Sequence, residues 1–312
     1  MNERVRFFKC EGAIRFFKYE GAGNDFVLLD DPPARLSTAA IRRLLDRHRG
    51  IGGDGILRMQ TMPAGSRQSR AQDNARFDLP VVSYHNADGG RAAFCGNGAR
   101  CVALHLIRST GDREVSFRFG RSRLTGRLAG GSQDPAGFSG PGPQRIAIQL
   151  PLPRELSWPA APIPLPAPLR RTLQSPPAWV DSGVPHLLLH VEDVDAVDLS
   201  RIAPPARAWP GGGGTNVDFF DIRGSRARVR TWERGVEGET LACGSGLAAV
   251  AFHIGVGLGA ARVPRAASGQ RGPKDVRLES RGGDSFVFRV AGRSCWLEGP
   301  ARRVFEGRIE LP

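Results

Sequence analysis

The sequence has few lysines, and its basic residues are scattered along the chain. Of its 44 basic residues only Lys9, Lys18 and Lys274 are lysines, so the formal charge of +13 comes almost entirely from arginine. Nucleic-acid binding calls for clustered basic residues with exposed aromatics. The nearest candidates, residues 121–127 and 226–230, alternate with other residues as a solvated strand face does. We therefore expect no nucleic-acid partner.

Long apolar runs are also missing. Residues 1–19 are interrupted by charges such as Glu3, Arg4 and Arg6, which leaves no apolar centre for a signal peptide. No later run is long enough to span a bilayer. These absences lead us to expect a cytoplasmic protein with no membrane partner.

Cysteine is scarce and unpaired in its spacing. The five thiols Cys10, Cys95, Cys101, Cys243 and Cys295 are odd in number and lack the paired spacing of a metal site. We therefore predict neither a structural disulfide nor zinc, and no metal at all. Cys101 lies on an apolar helix and Cys295 on a strand-like run, so both are predicted to belong to the core.

The order of elements indicates an α+β fold. At 312 residues the chain is long enough for two domains. Short alternating runs typical of strands dominate, with one buried helix expected in each half, which fits neither a doubly wound sheet nor a pure sandwich. A stretch rich in glycine, serine and proline, 130–143, predicts a domain boundary near Pro143.

Several local elements can be predicted from their patterns. Strands are predicted at 26–29 and 81–84, and an amphipathic helix at 38–48 with Ser37 or Thr38 as its N-cap. Nine prolines between Pro151 and Pro177 predict an irregular stretch on the surface of the second domain. A long surface loop is predicted at 63–79. Residues 5–12 nearly duplicate residues 14–21, and we assign the first copy no function.

The most informative feature is a cysteine set twice before a Gly-x-Gly turn. Phe94-Cys95-Gly96-Asn97-Gly98 and Ala242-Cys243-Gly244-Ser245-Gly246 each run on into an apolar segment. Each cysteine should therefore stand at the start of a buried helix, where free N–H groups favour a thiolate and bind anions. A thiolate beside a bound carboxylate can move a proton at the neighbouring carbon. Two such sites facing one ligand make a two-base isomerase.

Two other interpretations compete with this one. Either cysteine alone is better explained as a small core residue at an ordinary helix entry, and only the recurrence favours function. The stretch 244–249 also fits a dinucleotide fingerprint with alanine in the last place, but no acidic residue follows about twenty positions later, at 261–263.

The motifs of the chain, taken in order, closely resemble those of the diaminopimelate epimerase family. The resemblance runs from about Ile14 to Leu311. It is carried by Phe17-Lys18 before Gly21-Ala22-Gly23-Asn24-Asp25-Phe26, by Arg49-Gly50-Ile51-Gly52 with Asp54, by Asn86-Ala87-Asp88-Gly89, by the two cysteine motifs, by Glu233-Arg234-Gly235 with Gly238-Glu239-Thr240, and by Leu297-Glu298-Gly299-Pro300-Ala301 with Val304-Phe305-Glu306-Gly307.

This resemblance implies two pseudo-symmetric domains, each a curved, mostly antiparallel sheet wrapped around a central helix. The first domain would comprise 1–142 plus 301–312 and carry Cys95; the second would comprise 143–300 and carry Cys243. The implied reaction uses no cofactor and converts LL-2,6-diaminopimelate to the meso form, in lysine and peptidoglycan precursor synthesis. One thiolate removes the α-proton while the other thiol delivers one to the opposite face. A homodimer is compatible with this interpretation.

The resemblance also implies which residues hold the reacting end of the substrate. The backbone of Gly96, Asn97, Gly244 and Ser245 would bind its carboxylate, and Asn24 would lie near the reacting centre. Fixed dipoles in a dry site are what a carbanion without a cofactor requires.

A second group would bind the far end of the substrate. Asn86, Asn216, Glu233 and Arg234 are implied here, with Arg234 suited to the distal carboxylate and Glu233 to the distal ammonium. Taken without the motifs, a surface ion pair and ordinary turns or caps would explain these residues. His186 matches a family position near the cysteines and, with Glu233, is expected to support catalysis.

Three departures from the family pattern leave the substrate open. Val184 stands before Pro185-His186 where many members have asparagine, Gly55 replaces a glutamine, and the segment 233–240 carries an extra residue. One alternative is a racemase of proline, hydroxyproline or histidine on the same scaffold. Another, from a different class, is a binding protein for amino acids without turnover.

Overall fold

The computed structural model describes residues 13–32, 36–60, 79–92, 94–130, 142–158, 161–211, 213–257 and 275–310. The helices formed by these residues are α1 (Thr38–Leu45), α2 (Gly96–Thr110), α3 (Ala167–Thr172), α4 (Leu199–Arg207) and α5 (Gly244–Phe252), with a 3-10 turn at Val194–Ala196 and a π-helical turn at His253–Gly257. No helix of the described ranges is both long and apolar enough to cross a membrane.

Strands are the commonest elements of the described chain. They are β1 (Ala13–Gly21), β2 (Asn24–Asp30), β3 (Gly55–Gln60), β4 (Val81–Asn86), β5 (Arg91–Ala92), β6 (Glu114–Phe119), β7 (Ser122–Leu128), β8 (Gln144–Pro151), β9 (Arg154–Glu155), β10 (Ala178–Asp181), β11 (Pro185–His190), β12 (Asn216–Arg223), β13 (Arg226–Glu233), β14 (Gly238–Thr240), β15 (Val276–Ser280), β16 (Ser285–Ala291) and β17 (Ser294–Glu310).

The first half of the molecule, β1–β8 with α1 and α2, is a sheet that closes on itself. Strand β1 pairs with β2, β2 runs parallel to β3, and β3 pairs with β4. Strand β4 then runs parallel to β6, and β6, β7 and β8 follow as antiparallel neighbours. Strand β17 joins β8 to β1 and completes the ring.

The second half, β9–β17 with α3–α5, repeats the same sequence of pairings. Strands β10 and β11 are antiparallel, β11 and β12 parallel, and β12 and β13 antiparallel. Strand β13 is parallel to β15, and β15, β16 and β17 are antiparallel neighbours. Even the short side strands match, since β5 pairs with β4 and β14 pairs with β13. The two halves are therefore structural repeats, as the resemblance implied.

Each half has one helix inside its curved sheet and at least one outside. Helix α2 packs in a core with inward residues such as Leu28 and Leu57, while α1 packs against outward residues such as Val27. In the second half α5 occupies the inner core and α4 the outer one. Because successive side chains of a strand point to opposite faces, these strands are apolar on both sides.

The last strand belongs to both halves. The first part of β17 lies between β8 and β16, and residues 302–310 pair with β1. Strand β8 crosses over from the first half and leads directly into β9, which pairs with β10. The domain boundary near Pro143 remains a prediction.

Most predicted local elements are present. Strands β2 and β4 cover the predicted runs, and Ser37 is the N-cap of α1, its side chain accepting a hydrogen bond from the Ala40 N–H at 3.1 Å. Cys101 and Cys295 are fully buried in the inner cores. The first copy of the duplicated segment, Cys10 and most of the predicted loop 63–79 lie outside the described residues.

One predicted boundary needs correction, because helix α1 ends at Leu45 rather than His48. Each half has the one buried helix that was expected, α2 or α5, but the outer helix α4 was not predicted. Its interior Pro204 and Pro205 argue against a helix, yet Leu199, Ala203 and Ala206 bury one face of it. In α4, therefore, tertiary packing outweighs the loss of the helical hydrogen bonds that the two prolines cannot make.

Candidate active site

Cys95 caps the N-terminus of α2. Its backbone is extended, and its Sγ accepts a hydrogen bond from the Gly98 N–H at 3.4 Å. Burial raises the pKa of this thiol to about 11, although the hydrogen bond from Gly98 and the positive charge of Arg100 oppose the rise. Without a ligand, Cys95 is therefore a thiol at neutral pH.

Cys243 holds the equivalent place at the start of α5 but makes different contacts. It is buried, and its Sγ lies 3.3 Å from the Ser245 Oγ, while the Gly246 N–H of the first turn also acts on the thiol. Burial and the nearby carboxylates of Glu233 and Asp218 raise the pKa of Cys243 well above its ordinary value. This thiol is also protonated at neutral pH.

The two helix N-termini meet. A Cβ placed on Gly96 would lie 3.7 Å from the Cα of Gly244, and one on Gly244 would lie 3.6 Å from the Cα of Gly96. The Asn97 amide donates to the carbonyl of Ala242, just before Cys243, at 3.0 Å. Free N–H groups of both first turns therefore converge on one region, which suits a single carboxylate.

Asn97 is held by a network that links the halves. Its Nδ2 also donates to the Asn24 Oδ1 at 2.6 Å, and its Oδ1 accepts from Arg100 at 2.6 Å. Arg100 is fully buried, and it donates to the Pro300 carbonyl and lies over the Phe286 ring. Because a guanidinium only donates, it fixes which end of the Asn97 amide faces Asn24.

His186 lies in the second half, next to Ser245. Its Nε2 is 3.0 Å from the Ser245 Oγ and its Nδ1 is 2.6 Å from the Asp218 Oδ2. Asp218 in turn accepts from the Thr231 hydroxyl at 2.6 Å. The histidine and the aspartate are both fully buried. The histidine therefore stands behind Ser245 and reaches Cys243 through it.

Asn216 adjoins this group and orients the segment that follows β13. Its Nδ2 lies 3.3 Å from the His186 Nε2, and its Oδ1 accepts from the Arg234 N–H at 2.7 Å. The Arg234 guanidinium donates to the Gly214 carbonyl at 3.2 Å. Among the described residues Arg234 forms no ion pair with Glu233, so the surface pair considered from sequence is absent there.

Glu233 is the acidic group that lies near both thiols. The negative charge of its carboxyl raises the pKa of both Cys95 and Cys243. Burial raises the pKa of Glu233 itself. Asn86, by contrast, is exposed at the end of β4, in the turn that Asp88 fixes by accepting from the Gly90 N–H. No side-chain hydrogen bond or ion pair among the described residues connects Asn86 to the other predicted site residues.

The departure at Gly55 has a structural counterpart. A Cβ on Gly55 would lie 2.3 Å from the ring of Tyr84, which pairs with Leu57 two residues further along β3. Tyr84 is buried, and the charged groups that act on its hydroxyl include Cys95 and Glu233. The tyrosine ring therefore occupies the space that a side chain at position 55 would need.

Three residues of the site were missed by reasoning from sequence. Asp218 holds His186, Thr231 holds Asp218, and Arg100 holds Asn97, yet none of the three was proposed. Asp218 carried the clearest signal, because it is an acidic residue between Val217 and Phe219 in an apolar strand. A charge in such a run is rarely buried without a partner.

Sequence comparisons agree with this geometry. A family model described as diaminopimelate epimerase matches residues 16–124 and 178–286, one segment in each half. Among curated relatives, a diaminopimelate epimerase from Chlorobaculum tepidum is 33% identical, with 93% of this chain and 99% of that protein covered. One from Acidovorax ebreus is also 33% identical, with 99% and 98% covered.

Solved structures share the fold at much lower identity. A phenazine biosynthesis protein of the PhzF family from Enterococcus faecalis has a TM-score of 0.60 at 12% identity, covering 95% of this chain and 99% of its own. A hydroxyproline epimerase from Agrobacterium vitis has a TM-score of 0.57 at 15% identity, covering 97% and 94%. At these identities the similarity establishes the fold alone.

Proposed function

The chain belongs to the diaminopimelate epimerase family, and on that premise we propose that it interconverts LL-2,6-diaminopimelate and meso-diaminopimelate. The reaction inverts one α-carbon and serves lysine and peptidoglycan precursor synthesis. The observation that carries the proposal is the meeting of two helix N-termini, each capped by a cysteine. A cytoplasmic setting is part of it, since two free catalytic thiols need a reducing compartment.

The chemistry is a proton transfer across one carbon. Cys95 and Cys243 would flank the α-carbon, one as thiolate removing the proton and the other as thiol delivering one to the opposite face. The N–H groups of Gly96, Asn97, Gly244 and Ser245 would bind the α-carboxylate. These dipoles stabilise charge that develops on the carboxylate as the carbanion forms. The chemistry proposed for these groups needs no cofactor.

The far end of the substrate is an amino acid group with one carboxylate and one ammonium. Arg234 suits the carboxylate, and Glu233 suits the ammonium, with Asn86 and Asn216 completing the set. A bound ammonium would also offset the charge of Glu233, which in the free protein raises the pKa of both thiols. Substrate binding would thereby favour formation of the thiolate.

Asn24 and Asn97 support the reacting end. Their hydrogen bond joins the first turn of α2 to the end of the β1–β2 hairpin, and Asn97 also holds the residue before Cys243. This linkage ties the spacing of the two cysteines to the position proposed for the substrate. Positioning of this kind can contribute much of a catalytic rate.

A racemase acting on proline, hydroxyproline or histidine is the alternative within the same fold. Such substrates lack a second amino acid group and give no use to Glu233 and Arg234 together. Asn97 also stands where the proline group of racemases typically has histidine. The missing amide at Val184 removes one polar contact at the far end, which the experiment below examines directly.

The test is to incubate the reduced protein with LL-diaminopimelate in deuterated water, with L-proline and L-histidine in parallel. α-Deuterium uptake is measured by mass spectrometry and stereochemistry by chiral separation. Uptake with meso product from diaminopimelate alone is expected. Uptake with another amino acid only would replace the substrate, and no exchange with any would favour a binding protein.

A further inference from the structure

A buried line of hydrogen bonds leads away from one of the two cysteines. From the Cys243 Sγ it passes to the Ser245 Oγ at 3.3 Å, to the His186 Nε2 at 3.0 Å, and from the His186 Nδ1 to the Asp218 Oδ2 at 2.6 Å. His186 and Asp218 have no exposed side-chain surface. The line ends inside the protein rather than in solvent.

The chemistry of the groups sets the direction of each bond. An ionised carboxylate only accepts, so Asp218 takes the proton of the His186 Nδ1 and that of the Thr231 hydroxyl. This leaves a lone pair on the His186 Nε2, which faces two donors, the Ser245 hydroxyl at 3.0 Å and the Asn216 Nδ2 at 3.3 Å, and accepts from the nearer one, Ser245. The Ser245 oxygen is then free to accept from the Cys243 thiol. All donors point away from Cys243.

The cysteine motif itself makes room for the carboxylate. A Cβ on Gly246, in the first turn of α5, would lie 2.2 Å from the Asp218 Oδ1 and 2.9 Å from the Thr231 Oγ1. Any other residue there would collide with Asp218. The absence of a side chain lets the buried carboxylate approach the positive end of the helix.

The first half has no such line at the equivalent positions. Since β2, β3 and β4 repeat the pairings of β11, β12 and β13, the residues that correspond to His186, Asp218 and Thr231 follow from the register. They are Phe26, Leu57 and Tyr84. The contact of Gly98 confirms this correspondence, since a Cβ there would meet the Leu57 Cδ2 at 3.1 Å. Cys95 is therefore backed by an apolar group.

We propose that Asp218 is a positioning residue that makes His186 the store for the proton of Cys243. The thiol gives its proton to the Ser245 oxygen while the Ser245 hydroxyl proton moves to the His186 Nε2. One S–H bond breaks, one N–H bond forms, and Ser245 is unchanged. The products are the Cys243 thiolate and an imidazolium paired with Asp218. Cys243 is accordingly the thiol that becomes the base once its proton has moved to His186, and Cys95 is the acid.

The charges around Cys243 make such a store necessary. Asp218 on β12 and Glu233 on β13 are acidic, so both oppose a thiolate at Cys243. Cys95 and the buried Arg100 of α2 are not part of the hydrogen-bond line. Once His186 on β11 holds the proton, its positive charge offsets Asp218 and acts in favour of the thiolate. The proton never needs to leave the buried site.

This inference rests on the proposed function, and exchange in deuterated water separates the two cysteines. In Cys95→Ala only Cys243 can remove an α-proton, and in Cys243→Ala only Cys95 can. Each single variant should exchange one stereochemical form of diaminopimelate without inverting it. Adding Asp218→Asn should slow the exchange that depends on Cys243 by about 100-fold or more. Exchange that depends on Cys95 should change by no more than about 2-fold, as for independent sites.

An equal loss in both backgrounds would overturn the proposal, because it would mean that Asp218 supports the fold as a whole. If Asp218→Asn does not fold, Ser245→Ala breaks the line while keeping the backbone N–H. It should slow the exchange at Cys243 by about 10-fold or more, and Ser245→Thr should restore it. An unaffected rate in Ser245→Ala also overturns the proposal. Absence of any exchange in the unmodified protein would instead reject the proposed function.

Discussion

The two halves of this protein share a backbone plan but differ in what lies behind each cysteine. In the first half, Cys95 is backed by Phe26, Leu57 and Tyr84, and its sulfur accepts the Gly98 N–H. In the second half, the same register positions hold His186, Asp218 and Thr231, and the sulfur of Cys243 turns to Ser245. A repeated fold thus supplies two similar frames, and three substitutions in the sheet give them unequal chemistry.

The largest effect we expect comes from removing either thiol. Cys95→Ala and Cys243→Ala should each lower the rate of epimerisation by about 10⁴-fold or more, since proton transfer on one face is lost. Both variants should fold and bind the substrate. Rates from chiral separation, with circular dichroism as the folding control, measure this. Full activity in either variant would contradict a two-base mechanism.

The glycines of the two motifs should differ in their tolerance of a methyl group. Gly246→Ala should lower the free energy of unfolding by about 3 kcal/mol or more, because its Cβ would lie 2.2 Å from the buried Asp218. Gly98→Ala should cost about 1 kcal/mol, since the Leu57 methyl at 3.1 Å can shift and alanine favours the helix. Denaturant titration gives both values, and equal costs would argue against the difference between the halves.

Two substitutions that each remove one hydroxyl compare the polar residues behind Cys243 with the apolar residues behind Cys95. Thr231→Val should cost about 2 kcal/mol, because it removes a 2.6 Å hydrogen bond to a buried carboxylate. Tyr84→Phe is the matched control, since the Tyr84 hydroxyl makes no hydrogen bond within the described part of the chain. We expect it to change stability by less than about 0.5 kcal/mol. A comparable loss in both variants would weaken the comparison.

The smallest effect we expect is a loss of stability at alkaline pH. The pKa of Cys95 is raised to about 11 and that of Cys243 is raised well above its ordinary value, so above pH 9 the unfolded chain binds fewer protons than the folded one. Stability therefore falls as pH rises, by about 1 kcal/mol per buried thiol between pH 9 and 10. Cys243→Ala should flatten that slope. Cys95→Ala should flatten it less, because Cys95 is only half-buried. Denaturant titrations at both pH values measure the slopes.

Much of the site could be predicted because it is encoded locally. A cysteine, a Gly-x-Gly turn and an apolar run indicate a helix N-terminus within one short segment, and Cys95 and Cys243 both cap such helices. The N-cap of α1 at Ser37 was predictable for the same reason. Twofold recurrence then suggested that the two segments act together.

What remained hidden depends on contacts between distant segments. Asp218 meets His186 across 32 residues and lies beneath Gly246, so its role emerges only from the register of β11 and β12. Helix α4 was missed because its two prolines act locally, while the apolar face that stabilises it packs on a sheet formed elsewhere. Neither feature can be deduced from spacing along the chain.

The long strand β17 has a consequence for synthesis on the ribosome. Strand β1 is among the first segments of the described chain to emerge, but residues 302–310, which pair with it, are among the last. The sheet around α2 therefore stays open until nearly all of the polypeptide has left the exit tunnel, although its other strands are available early. During that interval the unpaired edges of β1 and β8 are exposed to the chaperones of the cell.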